Sequence, residues 1–295
     1  NYAVTSSQTS LKGIQESWKN TPYPKPVYIR DIAISNDNSK LAMAFEDKLL
    51  RVWNLKSGNL TNLLTGHSNW PTDIEFSGNG ELLASADKDG NILIFGMNTG
   101  APIYNFASEN EIPIATIAFS SDSSKLATGD EEGNVLIIDV ISGQKIFEMQ
   151  IGEGSAINKV QFDKANEKLF VGTIDGQFFV LDNKELKIID QENVASSPIE
   201  DILIYPRNNQ VVIKSEYDAH VYDIYEQKVI ETFDFDGRRI ADLTLSETGS
   251  KALLTSGEDW RVVTLSPYSE KDPWATIPTV TADGQLRTPK GSLTE

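Results

Sequence analysis

Apolar and polar residues alternate with period two along most of this chain, in short runs broken by Gly, Asn, Asp and Ser. One phrase recurs: an alternating run that ends on a large hydrophobe and then a small or polar residue. It reads Asp31-Ile32-Ala33-Ile34-Ser35, Asp73-Ile74-Glu75-Phe76-Ser77 and Thr116-Ile117-Ala118-Phe119-Ser120. It returns as Lys159-Val160-Gln161-Phe162-Asp163, Asp201-Ile202-Leu203-Ile204-Tyr205 and Asp242-Leu243-Thr244-Leu245-Ser246. The large hydrophobes at 34, 76, 119, 162, 204 and 245 are spaced by 42, 43, 43, 42 and 41 residues. A second column keeps the same beat, with Asp47, Asp89, Glu132, Asp175, Asp218 and Asp259 each closing a turn ahead of another apolar run. Fourth runs follow, as at 102–106, 145–149 and 229–233, so each unit reads as four short strands. No segment carries an apolar face at helical spacing.

A repeat of about 42 residues with four strands is the pattern of a propeller blade. The residues also resemble the WD-repeat family. Gly66-His67 stands where that family has its glycine-histidine pair, and Leu83-Ala84-Ser85 and Leu126-Ala127-Thr128 are similar to its second strand. Val52-Trp53-Asn54 occupies the place of its tryptophan-aspartate pair; Asp139, Asp182 and Asp223 keep the aspartate alone. The resemblance covers residues 11–266 and implies a buried His–Ser–Asp–Trp hydrogen-bond network, for which the second unit offers His67, Ser85 and Asp89 with Phe95 in the aromatic place.

Dividing the chain by the repeat length gives seven units, of which six are legible. We expect an all-β fold: a single β-propeller domain over residues 1–295 with seven four-stranded blades. The seventh would be closed by the two chain ends, residues 267–295 with 1–15, because Leu286 falls 41 residues after Leu245. Such closure removes exposed sheet edges. Six blades and a C-terminal tail is the alternative; the prolines at 267, 273, 278 and 289 fit a loop-rich arm. Trp18 and Trp53 read as blade-packing residues.

Composition narrows the chemistry. The chain has 26 Lys and Arg against 43 Asp and Glu, a formal charge of −17, which argues against nucleic-acid binding. With no cysteine and only His67 and His220, thiolate catalysis, disulfides and His- or Cys-ligated metal sites are excluded. No apolar run is long enough for a membrane-spanning helix. Neither histidine has the neighbours of a nucleophile–base pair, and Gly152-Glu153-Gly154 lacks the features of a phosphate loop, so no catalytic residue is assigned.

Two sets of residues remain as candidates. In the column one residue before each first-strand aliphatic stand Asp31, Asp73, Thr116, Lys159, Asp201 and Asp242. In a propeller this column faces the axis, so Asp31, Asp73, Asp201 and Asp242 form an axial acidic ring that favours a basic side chain or an oxygen-liganded cation such as Ca²⁺. The competing reading is that each aspartate bonds a neighbouring blade's backbone. The second set is Trp70, Trp260, Tyr217, Arg30, Arg238 and Arg239, the residue types that anchor interfaces, with the three arginines at matching entries to first strands.

The resemblance implies a non-catalytic protein–protein interaction scaffold, a rigid acidic platform within a larger assembly, whose partners carry basic or aromatic-complementary surfaces. The alternative is a propeller enzyme or a small-ligand or Ca²⁺-binding protein using the aspartate-lined channel; no other cofactor is expected. The Asn1 start reads as a processed or excised product, and one sequon, Asn59-Leu60-Thr61, leaves the compartment open. Acidity without cysteine tips the reading to a bacterial exported protein, with a cytoplasmic one as the alternative.

Overall fold

The alternation becomes strand, and the Gly-, Asn- and Asp-rich breaks become tight turns. The computed structural model describes residues 28–107, 111–204, 210–246, 251–257, 259–265, 279–280 and 286–287. Each repeat folds as an antiparallel meander, a blade. Blade 1 is β1 (Ile29–Ile34), β2 (Lys40–Phe45), β3 (Leu50–Asn54) and β4 (Leu60–Leu64). Blade 2 is β5 (Pro71–Phe76), β6 (Leu82–Asp87), β7 (Ile92–Gly96) and β8 (Pro102–Phe106), and blade 3 is β9 (Ile114–Phe119), β10 (Lys125–Asp130), β11 (Asn134–Asp139) and β12 (Gln144–Gln150). Blade 4 is β13 (Ile157–Phe162), β14 (Lys168–Thr173), β15 (Gln177–Asp182) and β16 (Lys187–Asn193). Blade 5 is β17 (Ile199–Ile204), β18 (Gln210–Ser215), β19 (Asp218–Asp223) and β20 (Lys228–Asp234). Blade 6 shows three strands, β21 (Asp242–Leu245), β22 (Lys251–Ser256) and β23 (Asp259–Thr264). The fold is all-β, a series of antiparallel meanders of the propeller-blade type; among the described residues the one helical element is a single 3₁₀ turn at Gly152–Gly154. No helix there is long and apolar enough to cross a membrane.

Two irregularities recur. Where the first strand pairs with the second, the register skips one residue in blades 1, 2, 3 and 5: Arg30, Thr72, Ala115 and Glu200. A bulge bends its strand and re-aims the next side chain, which here is Asp31, Asp73, Thr116 or Asp201. A second skip, at Val52/Trp53, Ile94/Phe95, Ile137/Ile138 and Val221/Tyr222, falls in the outer pairing. It twists the outermost strand, whose far edge has no sheet partner, away from a flat template.

The residues fall into two compact units, whose division runs through blade 4. One holds the chain up to Val171 with Leu181–Lys187, the other Gly172–Val180 and the chain from Ile188 onward. In the first unit the core lies between successive blades. Ala42, Ala44, Leu50 and Val52 pack on Ile74, Phe76, Leu83 and Phe95, and Ala84, Ile92 and Ile94 pack on Ile117, Phe119 and Ile138. Trp53, read as a packing residue, is fully buried against Leu41 and Phe45. In the second unit Val212, Ala219 and Val221 pack on Leu243, Ala252 and Leu254. The first-strand aliphatics Ile74, Ile117, Val160, Ile202 and Leu243 are all buried, whereas their counterpart Ile32 in blade 1 is 51% exposed. Of the expected seventh blade only the strand pair β24 (Thr279–Val280) and β25 (Leu286–Arg287) is described. Its remaining parts, residues 1–15 and most of 267–295, and Trp18 with them, lie outside the described residues.

Close approach of blades puts glycine where a side chain cannot go. A Cβ on Gly129 would stand 2.8 Å from Ile157 Cβ, and one on Gly172 2.8 Å from Ile199 Cβ. Gly129→Ala and Gly172→Ala are therefore expected to destabilise by about 1–3 kcal/mol through overpacking, read as a lower urea midpoint. The matching Ile→Val change should recover little of the loss, because valine keeps the Cβ and Cγ2 atoms that the added methyl meets.

Candidate functional site

Both histidines are consumed by buried networks. His67, in the loop before β5, sits with Nδ1 2.9 Å from Asp87 Oδ2 and Nε2 2.5 Å from Ser85 Oγ. Ser85 and Asp87 are fully buried at the end of β6. With the ring neutral, Nδ1–H donates to the carboxylate and Nε2 accepts the serine hydroxyl. Asp87 Oδ1 also takes the backbone N–H groups of Asp89 and Asn91. Burial works to raise this carboxyl, but the bonds from His67 and Asn91 outweigh it and hold it below the usual carboxylate range. The acidic member of the network is thus Asp87, two residues before the expected Asp89. Asp89 instead accepts from Ser68 Oγ and Asn69 Nδ2 and fastens the loop that carries His67. A network of His, Ser and Asp needs the acid at the strand end, in line with Ser85, rather than at the turn apex. His220, on β19, is bonded by Nε2 to Asp218 Oδ1 at 2.9 Å and by Nδ1 to Thr232 Oγ1 at 3.0 Å. Its neighbour Ser215 donates to Asp218, not to the imidazole, so the order is wrong for a nucleophile.

The axial column does structural work in the first unit. Ile74 N–H donates to Asp31 Oδ2 at 2.8 Å, Ile117 N–H to Asp73 Oδ2 at 2.8 Å, and Val160 N–H to Thr116 Oγ1 at 3.5 Å. Glu75, absent from the sequence-level candidates, accepts from Phe119 N–H at 2.5 Å. In the second unit Asp201 and Asp242 each accept the N–H of the following residue, Ile202 and Leu243. Burial, reinforced by the neighbouring Asp31 charge and a hydrogen bond between the two carboxyls, raises Asp73 to about 8. Burial raises Glu75 to about 7. Among the described residues no three His, Asp or Glu side chains are grouped to hold a metal ion.

The interface candidates separate into two places. In the first unit Arg30 lies over the Trp70 ring, 4.6 Å from its centroid, and is held by Glu46 at 2.5 Å. Trp70 is 37% exposed and Tyr28, just before β1, is 68% exposed. In the second unit Arg239 reaches Glu200 at 2.8 Å and Glu216 at 3.6 Å, and Arg238 pairs with Asp259 and covers Phe235 at 4.8 Å. The matching entry expected for the three arginines does not hold. Arg30 is a strand residue at the bulge, but Arg238 and Arg239 lie in the turn before β21. They sit on the connector from β20, held there by ion pairs to Glu200, Glu216 and Asp259. Tyr217, 44% exposed, caps the turn between β18 and β19. Trp260 is 55% exposed on β23, although Leu50, Ile92, Val135 and Ala219 fill its register position in other blades and are buried.

Comparison with known proteins agrees with this geometry. Residues 58–95 match the family model described as WD domain, G-beta repeat. That segment runs from the end of the β3–β4 turn through β7 and contains His67, Ser85 and Asp87. The WD repeat and SOCS box-containing protein 1 of Homo sapiens is 36% identical over 72 residues, 24% of this chain and 17% of that protein. The small ribosomal subunit protein RACK1 of Caenorhabditis elegans is 31% identical over 78 residues, covering 26% of this chain and 24% of RACK1. The nuclear distribution protein PAC1 of Komagataella phaffii is 31% identical over 65 residues, covering 22% and 13%. The chain thus spans less than a quarter of the length of these curated relatives.

Two outcomes are expected. His67→Ala leaves Ser85 and Asp87 buried without their partner and should cost about 3 kcal/mol, measured by urea denaturation. An unfolded aspartate titrates near 3.9, so between about pH 4 and pH 8 the folded protein keeps a proton on Asp73 that the unfolded chain has released. The contribution of Asp73 to stability is fully present below pH 4, falls as pH rises towards 8 and is lost above it. Asp73→Asn should flatten the slope, as seen by thermal melts across this range.

Proposed function

We propose that this chain, which carries a WD repeat, is a non-catalytic protein-interaction platform and a subunit of a larger assembly. Its partners present basic or aromatic-complementary surfaces. The observation that carries the reading is the Arg30–Trp70 pair. The tryptophan is fixed through its backbone, with its N–H bonded to Asn69 Oδ1 at 2.8 Å and its carbonyl accepting from Lys88 N–H at 3.2 Å. The guanidinium is fixed by Glu46 and the ring stack. An exposed aromatic–arginine pair already ordered in the free chain loses little entropy on binding. The engagement of both histidines in buried bonds supports the non-catalytic part of the reading. Relatives with WD repeats include one named as a ribosomal-subunit protein and one named as MST50-interacting, which fits work within assemblies.

A second reading, an ion or small-ligand site on the column aspartates, rests on the carboxyl–carboxyl contact of Asp31 and Asp73, which a cation would relieve. Capture from the native source, quantified by mass spectrometry at low and high salt, separates the two. The platform reading expects a defined protein set that weakens with salt and falls at least about tenfold with Arg30→Ala/Trp70→Ala, folding having been verified. Loss of that set even at low salt, together with Ca²⁺-dependent thermal stabilisation abolished by Asp31→Asn, favours the second reading.

A further inference from the structure

The repeat breaks at one buried position. The residue after the last of the third strand is Leu55, Met97, Val140 and Ile224 in blades 1, 2, 3 and 5, but Asn183 in blade 4. Its backbone is placed as in its counterparts: Asn183 N–H donates to Glu167 O, as Leu55 does to Ser39, Met97 to Glu81 and Val140 to Ser124. Only 3% of Asn183 is exposed. A buried amide in an apolar column is costly unless its bonds are met, and here they are met by drawing in a cation. Asn183 Nδ2 donates to Asn166 O at 2.7 Å, while Lys125 Nζ donates to Asn183 Oδ1 at 2.9 Å and to its carbonyl at 3.0 Å. The equivalent lysine of blade 1, Lys40, reaches instead to a turn carbonyl of the next blade, Gly80 O.

The diverted amine lines a cavity of about 520 Å³ between blades 3 and 4, within the first unit. Lys168 and Lys184 line it too, and none of the three lysines forms an ion pair among the described residues. Two carboxylates share the lining. Asp182 Oδ1 accepts the N–H groups of Glu185 and Lys184, which with the nearby Lys187 and Lys168 charges hold the carboxyl below the usual carboxylate range. Glu167 is the other. In a chain of charge −17 the lining thus carries three ammonium groups against two carboxylates, one net positive charge, at a cavity of ligand-binding size.

We propose that this cavity binds an oxyanion, a phosphate or carboxylate group. Lys125 and Asn183 form its floor and Lys168 and Lys184 its rim. Charge-assisted N–H···O bonds from ammonium groups suit either anion. On the platform reading the anion belongs to an acidic or phosphorylated side chain of a bound protein; the pocket itself stands or falls without a partner.

The test is a ¹H–¹⁵N TROSY titration of the full chain with inorganic phosphate and, separately, acetate, at constant ionic strength set by chloride. The expected result is saturating shifts confined to amides of residues 166–168 and 182–185. Saturation by phosphate alone identifies a phosphorylated source, and saturation by both admits carboxylate side chains. Asn183→Leu restores the residue type of the other blades and so preserves folding; it and Lys168→Gln/Lys184→Gln should each weaken binding about tenfold. Shifts that stay linear up to about 50 mM of both anions, or saturation unchanged in both variants, would overturn the assignment. Because free anions are the probes, failure here leaves the capture experiment untouched, and the converse also holds.

Discussion

The structure depends on an amide that a blade cannot satisfy alone. The first strand of each meander pairs on one side only, so its other N–H groups and one apolar face are left without partners. A buried polar group without a bond is costly. In the first unit the preceding blade supplies the acceptor: Asp31 for Ile74, Asp73 for Ile117, Thr116 for Val160 and Glu75 for Phe119. Further side chains bond main-chain atoms of the next blade at nearly the same spacing. Asn36 donates to Gly78 O, Thr72 to Ile114 O and Ser121 Oγ to Lys164 O. One repeat length separates donor from acceptor each time, so these bonds hold only while the blades remain in step. The apolar contacts obey the same rule, since blade 1 offers small residues such as Ala42 and Ala44 to the larger Phe76 and Phe95 of blade 2.

That rule separates scaffold from candidate function. A side chain repeated in every blade is answered by a repeated acceptor and has little left to offer a ligand. The departures are more informative. His67 with Ser85 and Asp87 occurs in one blade, is buried, and locks a loop, so its departure is structural. Asn183 occurs in one blade, is buried, and redirects a lysine into a cavity. Arg30 and Trp70 belong to neighbouring blades and meet at the surface, where neither is needed for the core.

Period and alternation carried the strands: the four-strand meander, its turn positions and the burial of Trp53 were all readable. Single side chains were less so. Asp87 and Asp89 are both turn-type acids two residues apart, and only their depth at the strand end decides which meets His67. Glu75 resembles an outward-facing strand residue, yet it accepts an amide 44 residues away. Trp260 falls at a register position that is buried elsewhere, which the turn-based reading of β23 did not register. Asn183 was legible in principle as the one polar residue in an apolar column, but the column becomes visible only after the third strands are aligned by their hydrogen bonds.

What the sequence by itself determined was therefore everything that depends on local repetition. A period of two sets the strands, a period near 42 sets the blades, and composition removes most catalytic chemistries. The tertiary structure alone decided which polar groups face one another. The blade-to-blade bonds of the first unit lie about one repeat apart, and bulges at Arg30, Thr72 and Ala115 rotate the side chains that form several of them. A one-residue skip sends a strand side chain to the other face. Charge and hydropathy along the chain do not record such a skip; only the paired strands do.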